Sequence, residues 1–186
     1  MKKVCLLGDS MRLIGYGLKV PALIADVATV WQPEDNCRFA KYSLYGVQSP
    51  WSSELNGSDV IHWNNGVWDT CDWGDGVFAP IDEYVTTMLR IAAVLQKQAK
   101  TVIFATTMPV AKGYPYSNNE RIAEFNAAIV PELRARGILI NDLYSLVAPH
   151  IDTFIRDDDH IHLTQVGIDV CAAQVAAEIR AALAAQ

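Results

Sequence analysis

The sequence lacks any apolar run approaching the roughly 18 residues of a membrane-spanning helix, so helical membrane insertion is not expected. Positive charge is also scarce: 15 Lys and Arg against 21 Asp and Glu give a net charge of −6. The longest basic grouping is Lys2-Lys3. Nucleic acids and anionic membranes are bound through clustered positive charge, so neither is an expected partner. Cysteine is sparse and scattered, with Cys5, Cys37, Cys71 and Cys171 forming no C-x-x-C, which suggests reduced, individually buried thiols in a cytoplasmic protein. A secretory signal needs an apolar segment of about 7–15 residues. Here the stretch Val4-Cys5-Leu6-Leu7 stops at Gly8-Asp9, as a first strand would. Repeats, low-complexity tracts and linkers are lacking too, so residues 1–186 are expected to form one domain.

What is present is ordinary globular composition, 51% hydrophobic and 19% charged over 186 residues. A chain of this size buries roughly 70% of its unfolded surface, enough for a core without disulfides or a structural metal. Short apolar, β-branched runs predict strands over Lys3–Leu7, Ala28–Trp31, Asp59–Trp63, Thr101–Ala105 and Ile138–Asn141. Segments of helical period lie between and after them, near Gly17–Asp26, Ile81–Lys100, Asn118–Ala135 and Thr164–Ala184. The third of these opens with a capping-box spacing from Ser117 to Glu120. The last carries a stripe of Ile168, Cys171, Val175, Ile179 and Leu183. This alternation predicts an α/β protein, a three-layer α/β/α sandwich around a five-stranded parallel sheet with Lys3–Leu7 central. Ligands of such sheets sit beyond the carboxyl ends of the strands.

Three separated segments carry chemistry. Gly8-Asp9-Ser10 follows the first strand: glycine permits a sharp turn, and serine then starts a helix. Taken alone it reads equally as a helix cap. His62-Trp63-Asn64-Asn65-Gly66 follows the third strand, where an asparagine side chain can donate to a developing oxyanion, or simply form a turn. Asp157-Asp158-Asp159-His160-Ile161-His162-Leu163-Thr164 precedes the last helix. Asp159 and His162 are three apart, so the carboxylate can take the Nδ1 hydrogen of His162 while Nε2 faces outward. The bland alternative is a solvated acidic loop. A metal site of His160, His162 and an aspartate is a further one, but two histidines at i and i+2 are weak zinc spacing.

In order and end-to-end spacing, the three segments together resemble the SGNH hydrolases, also called GDSL esterases and lipases, across essentially the whole chain. No Gly-x-Ser-x-Gly is present, which speaks against the nucleophile elbow of the α/β-hydrolase fold. The resemblance implies Ser10 as nucleophile, with Asp159 and His162 completing the triad. It also implies an oxyanion hole of the Ser10 amide, a glycine amide in a second block and an asparagine side chain in a third. Asn65 matches the asparagine, with Asn64 the alternative one residue away. The second block falls in Asn36-Cys37-Arg38-Phe39, where Cys37 stands for the glycine and Gly46 is the alternative. A thiol nucleophile at Cys37 finds no histidine or aspartate near it in sequence.

Trp31 and Trp51 flank the second block, and Trp63, Trp68 and Trp73 surround the third, which leans toward a carbohydrate ester. The expected activity is therefore serine-dependent hydrolysis of a small acyl ester, acetyl foremost, on a small molecule or carbohydrate, without metal or organic cofactor. Lysophospholipase or thioesterase activity of the same family, a metal-dependent hydrolase built on Asp157 to His162, and a non-catalytic binding module are the competing readings.

Overall fold

The computed structural model describes residues 1–186. Five strands, β1 (Lys2–Leu7), β2 (Ala28–Trp31), β3 (Ser58–Trp63), β4 (Ala99–Ala105) and β5 (Leu139–Asn141), form one sheet. Its order is β2-β1-β3-β4-β5 and every pairing is parallel. β1 is thus interior, as its buried sequence requires, but the middle position belongs to β3, not to β1 as expected.

Successive side chains of a strand point to opposite faces, and each face has its own core. Val4 and Leu6 of β1, with Val60 and Ile103, join one cluster that includes Val20, Leu143, Phe154 and the stripe Cys171, Val175 and Ile179. Cys5 and Leu7, with Ile61, Trp63 and Phe104, join the other, against Leu44, Met88, Ile91, Leu95, Phe125 and Ile129. Each fully buried Val, Leu, Ile or Phe contributes about 1.5–3 kcal/mol, so both faces are covered by necessity. On the first side lie α1 (Ser10–Leu13), α2 (Val20–Leu23), α7 (Leu143–Val147), α8 (Ile151–Phe154) and α9 (Gln165–Ala184). On the second lie α3 (Ala40–Gln48), α4 (Ser52–Leu55), α5 (Ile81–Gln98) and α6 (Asn119–Ala135).

Several boundaries differ from the sequence expectation. Gly17–Asp26 is not one helix: a 3₁₀ turn at Tyr16–Leu18 precedes the four-residue α2, which starts at Val20 with Pro21 in its first turn. α5 stops at Gln98 because Ala99 already pairs with Ser58 in the sheet. α6 is capped by Asn118, whose side chain accepts the Arg121 amide at 2.9 Å, while Ser117 donates its hydroxyl to Thr70. The expected Ser-to-Glu capping box is therefore not formed. α9 begins as expected, with Thr164 accepting the Gly167 amide.

The strand order locates the site. The chain steps from β1 outward to β2, then crosses back over β1 to β3, so the loops after β1 and β3 part to opposite faces. The crevice between two such loops is where ligands of open parallel sheets bind. Gly8-Asp9-Ser10 and Asn64-Asn65 emerge there side by side, with the Asn64 amide donating to the Leu7 carbonyl at 3.2 Å. No helix is long and apolar enough to cross a membrane.

Candidate active site

Ser10 is the first residue of α1, and the buried carboxylate of Asp9 caps the turn by accepting the Met11 amide at 2.9 Å. Gly8 is required by close approach: a Cβ there would lie 2.0 Å from Asn64 Oδ1. The Ser10 amide donates no hydrogen bond within the protein, since the first amides of a helix lack carbonyl partners.

His162 lies 152 positions further along the chain, yet its Nε2 is 2.9 Å from Ser10 Oγ. Its Nδ1 is 2.9 Å from Asp159 Oδ2. A carboxylate only accepts, so this contact puts the ring hydrogen on Nδ1 and leaves Nε2 to accept from the serine hydroxyl. The loop is shaped for it. Asp159 Oδ1 accepts the amides of Ile161 and His162, and His160 between them turns the chain with φ +61°. Burial alone would raise the Asp159 carboxyl, but hydrogen bonds from the His162 amide, the His162 ring and the Ile161 amide outweigh it and hold it at about 2. Asp158 pairs with exposed Arg156, and the His160 ring lies against Gly113. No three His, Cys, Asp or Glu side chains are grouped to hold a metal ion.

The two asparagines after β3 are used differently. Asn64 accepts the Tyr16 hydroxyl at 2.6 Å and is itself buried, so it belongs to a buried scaffold. Asn65 donates one Nδ2 hydrogen to the Arg38 carbonyl at 2.9 Å, and its own carbonyl accepts from Tyr84 and Thr107.

The second block departs from expectation. The Cys37 amide donates to the Gly8 carbonyl at 3.1 Å, so it is not free to act as an oxyanion donor. Cys37 Sγ in turn accepts the Gly8 amide at 3.2 Å, and burial pushes the thiol up to about 11, which leaves no thiolate nucleophile. Gly46, the alternative, sits inside α3, where a Cβ would lie 2.0 Å from the Trp51 ring, so the missing Cβ makes room for it. The left-handed residue of this block is Arg38, with φ +48°.

Two important side chains gave no sequence signal. Arg12, 1% exposed, spreads its guanidinium over the carbonyls of Gly8, Pro33 and Asp35, fastening the loop after β2 to the serine turn. A charged residue on a four-residue helix reads as surface. Asp69, also buried, accepts the Ala40 amide and so caps α3 from 29 residues away. Burial pushes its carboxyl up to about 7. Among the tryptophans, Trp63 and Trp51 are core, and only Trp73 is largely exposed.

No protein-family model matches the sequence, and neither does any curated protein. Solved structures do match its fold. A lipase/acylhydrolase from Enterococcus faecalis aligns over 97% of this chain and 96% of its own at TM-score 0.79 and 21% identity. An acetylxylan esterase from Geobacillus stearothermophilus aligns over 96% and 94% at TM-score 0.80 and 14% identity. A second acetyl xylan esterase aligns over 95% and 99% at TM-score 0.78 and 18% identity. Catalytic mutants of the Geobacillus enzyme, with a serine or a histidine replaced by alanine, match at TM-scores of 0.77 and 0.78. The chain thus shares the parallel three-layer fold of these esterases and acylhydrolases.

Proposed function

We propose that the protein is a serine ester hydrolase of the SGNH type that removes a small acyl group, acetyl foremost, from a carbohydrate or small alcohol. The observation that carries this reading is the unbroken line from Asp159 through the His162 ring to Ser10, with both contacts at 2.9 Å, in the crevice beside β1 and β3. The acetyl and carbohydrate parts draw support from two neighbours named as acetylxylan esterases.

In this mechanism His162 Nε2 takes the Ser10 hydroxyl proton as Oγ attacks the acyl carbon. Negative charge collects on the former carbonyl oxygen, where the unengaged Ser10 amide and the second Nδ2 hydrogen of Asn65 are the available donors. Collapse breaks the ester C–O bond, and His162 returns its proton to the departing alcohol. Water, deprotonated by the same nitrogen, then hydrolyses the acyl-serine and restores the enzyme. Asp159 holds the Nδ1 hydrogen throughout.

The test is a panel of 4-nitrophenyl esters of rising chain length, run beside acetylated xylan and acetylated monosaccharides, with organophosphate labelling mapped by mass. Hydrolysis fastest on acetate, one label on Ser10 and no effect of EDTA are expected. A label elsewhere, or no ester cleaved, would overturn the reading; rates climbing with chain length would move it toward a lipase.

Asp159 should matter less than Ser10 or His162, because an orienting carboxylate is only partly required. Asp159→Asn is therefore expected to retain more kcat than Ser10→Ala, while Asp157→Asn and Asp158→Asn stay within about twofold of wild type. Since the folded Asp159 carboxyl sits at about 2, below its ordinary value, its contribution to stability is present above the ordinary range and lost as pH falls through about 2. Denaturant midpoints of wild type and Asp159→Asn should accordingly converge as the solution is acidified from about pH 4. A constant gap would show that Asp159 is held by something other than its charge.

A further inference from the structure

We propose that the aromatic cleft beside the Asp159 loop is a sugar subsite. In it, one pyranose ring of an oligosaccharide stacks on Trp73 and Tyr116 while an acylated hydroxyl of a neighbouring ring reaches Ser10. This rests on the ester-hydrolase reading and extends it to the substrate's alcohol side.

Trp73, Phe78 and Tyr116 are 48%, 46% and 41% exposed, and Trp73 neighbours each of the other two. The Trp73 ring is 6.0 Å from Tyr116 at an interplanar angle of 39°, and 5.4 Å from Phe78 edge-on. Large apolar side chains left exposed together mark a binding surface, whereas single ones do not. The platform is also anchored: the Asp72 amide donates to the Tyr116 carbonyl at 2.7 Å, tying the loop after β3 to the loop before α6.

The cleft beside it measures about 600 Å³, within the range of small-ligand sites. Its polar groups have capacity to spare. Asp72 uses Oδ1 on the amides of Gly74 and Gly76, leaving Oδ2 open. Arg121 uses one terminal nitrogen on the Thr70 carbonyl. Asn118 spends its oxygen on the Arg121 amide, which leaves its NH₂.

A negatively charged acceptor, Asp72, thus stands with a positive donor, Arg121, and a neutral one, Asn118, around an aromatic floor. A phosphate or carboxylate ligand would meet Asp72, a cation would meet Arg121, and a purely apolar ligand would strip water from both without replacing its hydrogen bonds. A neutral polyhydroxylated ring with one apolar face satisfies all of them.

The cleft adjoins the catalytic line. Tyr114 lines it, and three residues before Tyr114 the Ala111 amide donates to the His160 carbonyl at 2.9 Å. Ile161, next to His162, packs with Trp68 and Tyr114 against Val67, Val110 and Ile122.

The experiment titrates xylotetraose and cellotetraose into wild type, Trp73→Ala, Trp73→Phe and Tyr116→Ala, following tryptophan fluorescence and heat, after thermal melts show each variant folded. It is paired with KM values for acetylated tetrasaccharides and acetylated monosaccharides. At least one tetrasaccharide should bind wild type. Trp73→Ala and Tyr116→Ala should each weaken it about tenfold, as loss of an aromatic stacking contact does, with Trp73→Phe between. KM for the acetylated tetrasaccharide should rise in parallel, and less for the monosaccharide. Failure of both tetrasaccharides to bind, or equal binding by wild type and both alanine variants, overturns the subsite even if Ser10 hydrolyses 4-nitrophenyl acetate. Binding that depends on Trp73 in a protein that cleaves no ester would uphold the subsite and overturn the hydrolase reading instead.

Discussion

Ser10→Ala and His162→Ala are each expected to lower kcat by about three to six powers of ten, with the double variant no worse than either single one. In the proposed mechanism the two act on one event, transfer of the Oγ proton to Nε2 across a 2.9 Å contact, so removing either end removes the whole step. What survives is attack by water in a pocket that still binds the ester and still offers oxyanion donors. KM should change little, because neither side chain is needed to hold the ground state. His160→Ala separates this from a general need for histidine in the loop. Its ring faces Gly113 rather than Ser10, so kcat should remain near wild type. Steady-state rates on 4-nitrophenyl acetate decide the matter, and a His160→Ala enzyme as inactive as His162→Ala would show that the base is misassigned.

The fold and the Ser10–His162 juxtaposition were legible for the same reason: both are written in local patterns. β1 and β3 are short apolar runs ended by Gly8 and by Asn64-Asn65, and α9 keeps its stripe for five turns after the Thr164 cap. Parallel pairing then brings such strand ends to one edge whatever lies between them. α3 escaped because its cap is tertiary. Phe39 precedes it with no side-chain capping bond, and Asp69 supplies the acceptor from beyond β3. The break after Tyr16 escaped because Gly15, Gly17 and Pro21 interrupt a pattern whose apolar residues, Tyr16, Val20 and Ile24, still fall at helical spacing and are still buried.

The role of the Cys37 amide is likewise set by a tertiary contact. Position after β2 brings it near the serine turn, but sequence does not reveal that Gly8 pairs with it through both its amide and its carbonyl. Nor could the tryptophans be sorted. Trp63 alternates with His62 inside a strand buried on both faces, whereas Trp73 stands on a loop, and composition alone counts them alike.

Asn65→Ala is expected to lower kcat by about 10²–10³ with little change in KM, the usual cost of one oxyanion donor. The tetrahedral intermediate of ester cleavage carries a full negative charge on an oxygen that was only a carbonyl in the bound substrate. A donor already fixed in place therefore favours the transition state over the ground state. Asn65 is fixed in this sense. The residue is 1% exposed, its carbonyl is held by Tyr84 and Thr107, and the Arg38 carbonyl takes one of the two Nδ2 hydrogens. The Arg38 contact also sets which end of the amide is nitrogen, because an oxygen facing that carbonyl would find no hydrogen. Asn65→Asp should be worse than Asn65→Ala, since it replaces a donor by a charge of the same sign as the oxyanion. Asn64→Ala separates this role from scaffolding. It leaves the buried Tyr16 hydroxyl without its acceptor, which should cost about 1–3 kcal/mol of stability and lower the melting temperature. Any loss of rate should then follow the loss of folded protein. If Asn65→Ala kept near-normal kcat while Asn64→Ala melted like wild type and turned over a hundredfold more slowly, the donor would have to be moved one residue toward the strand.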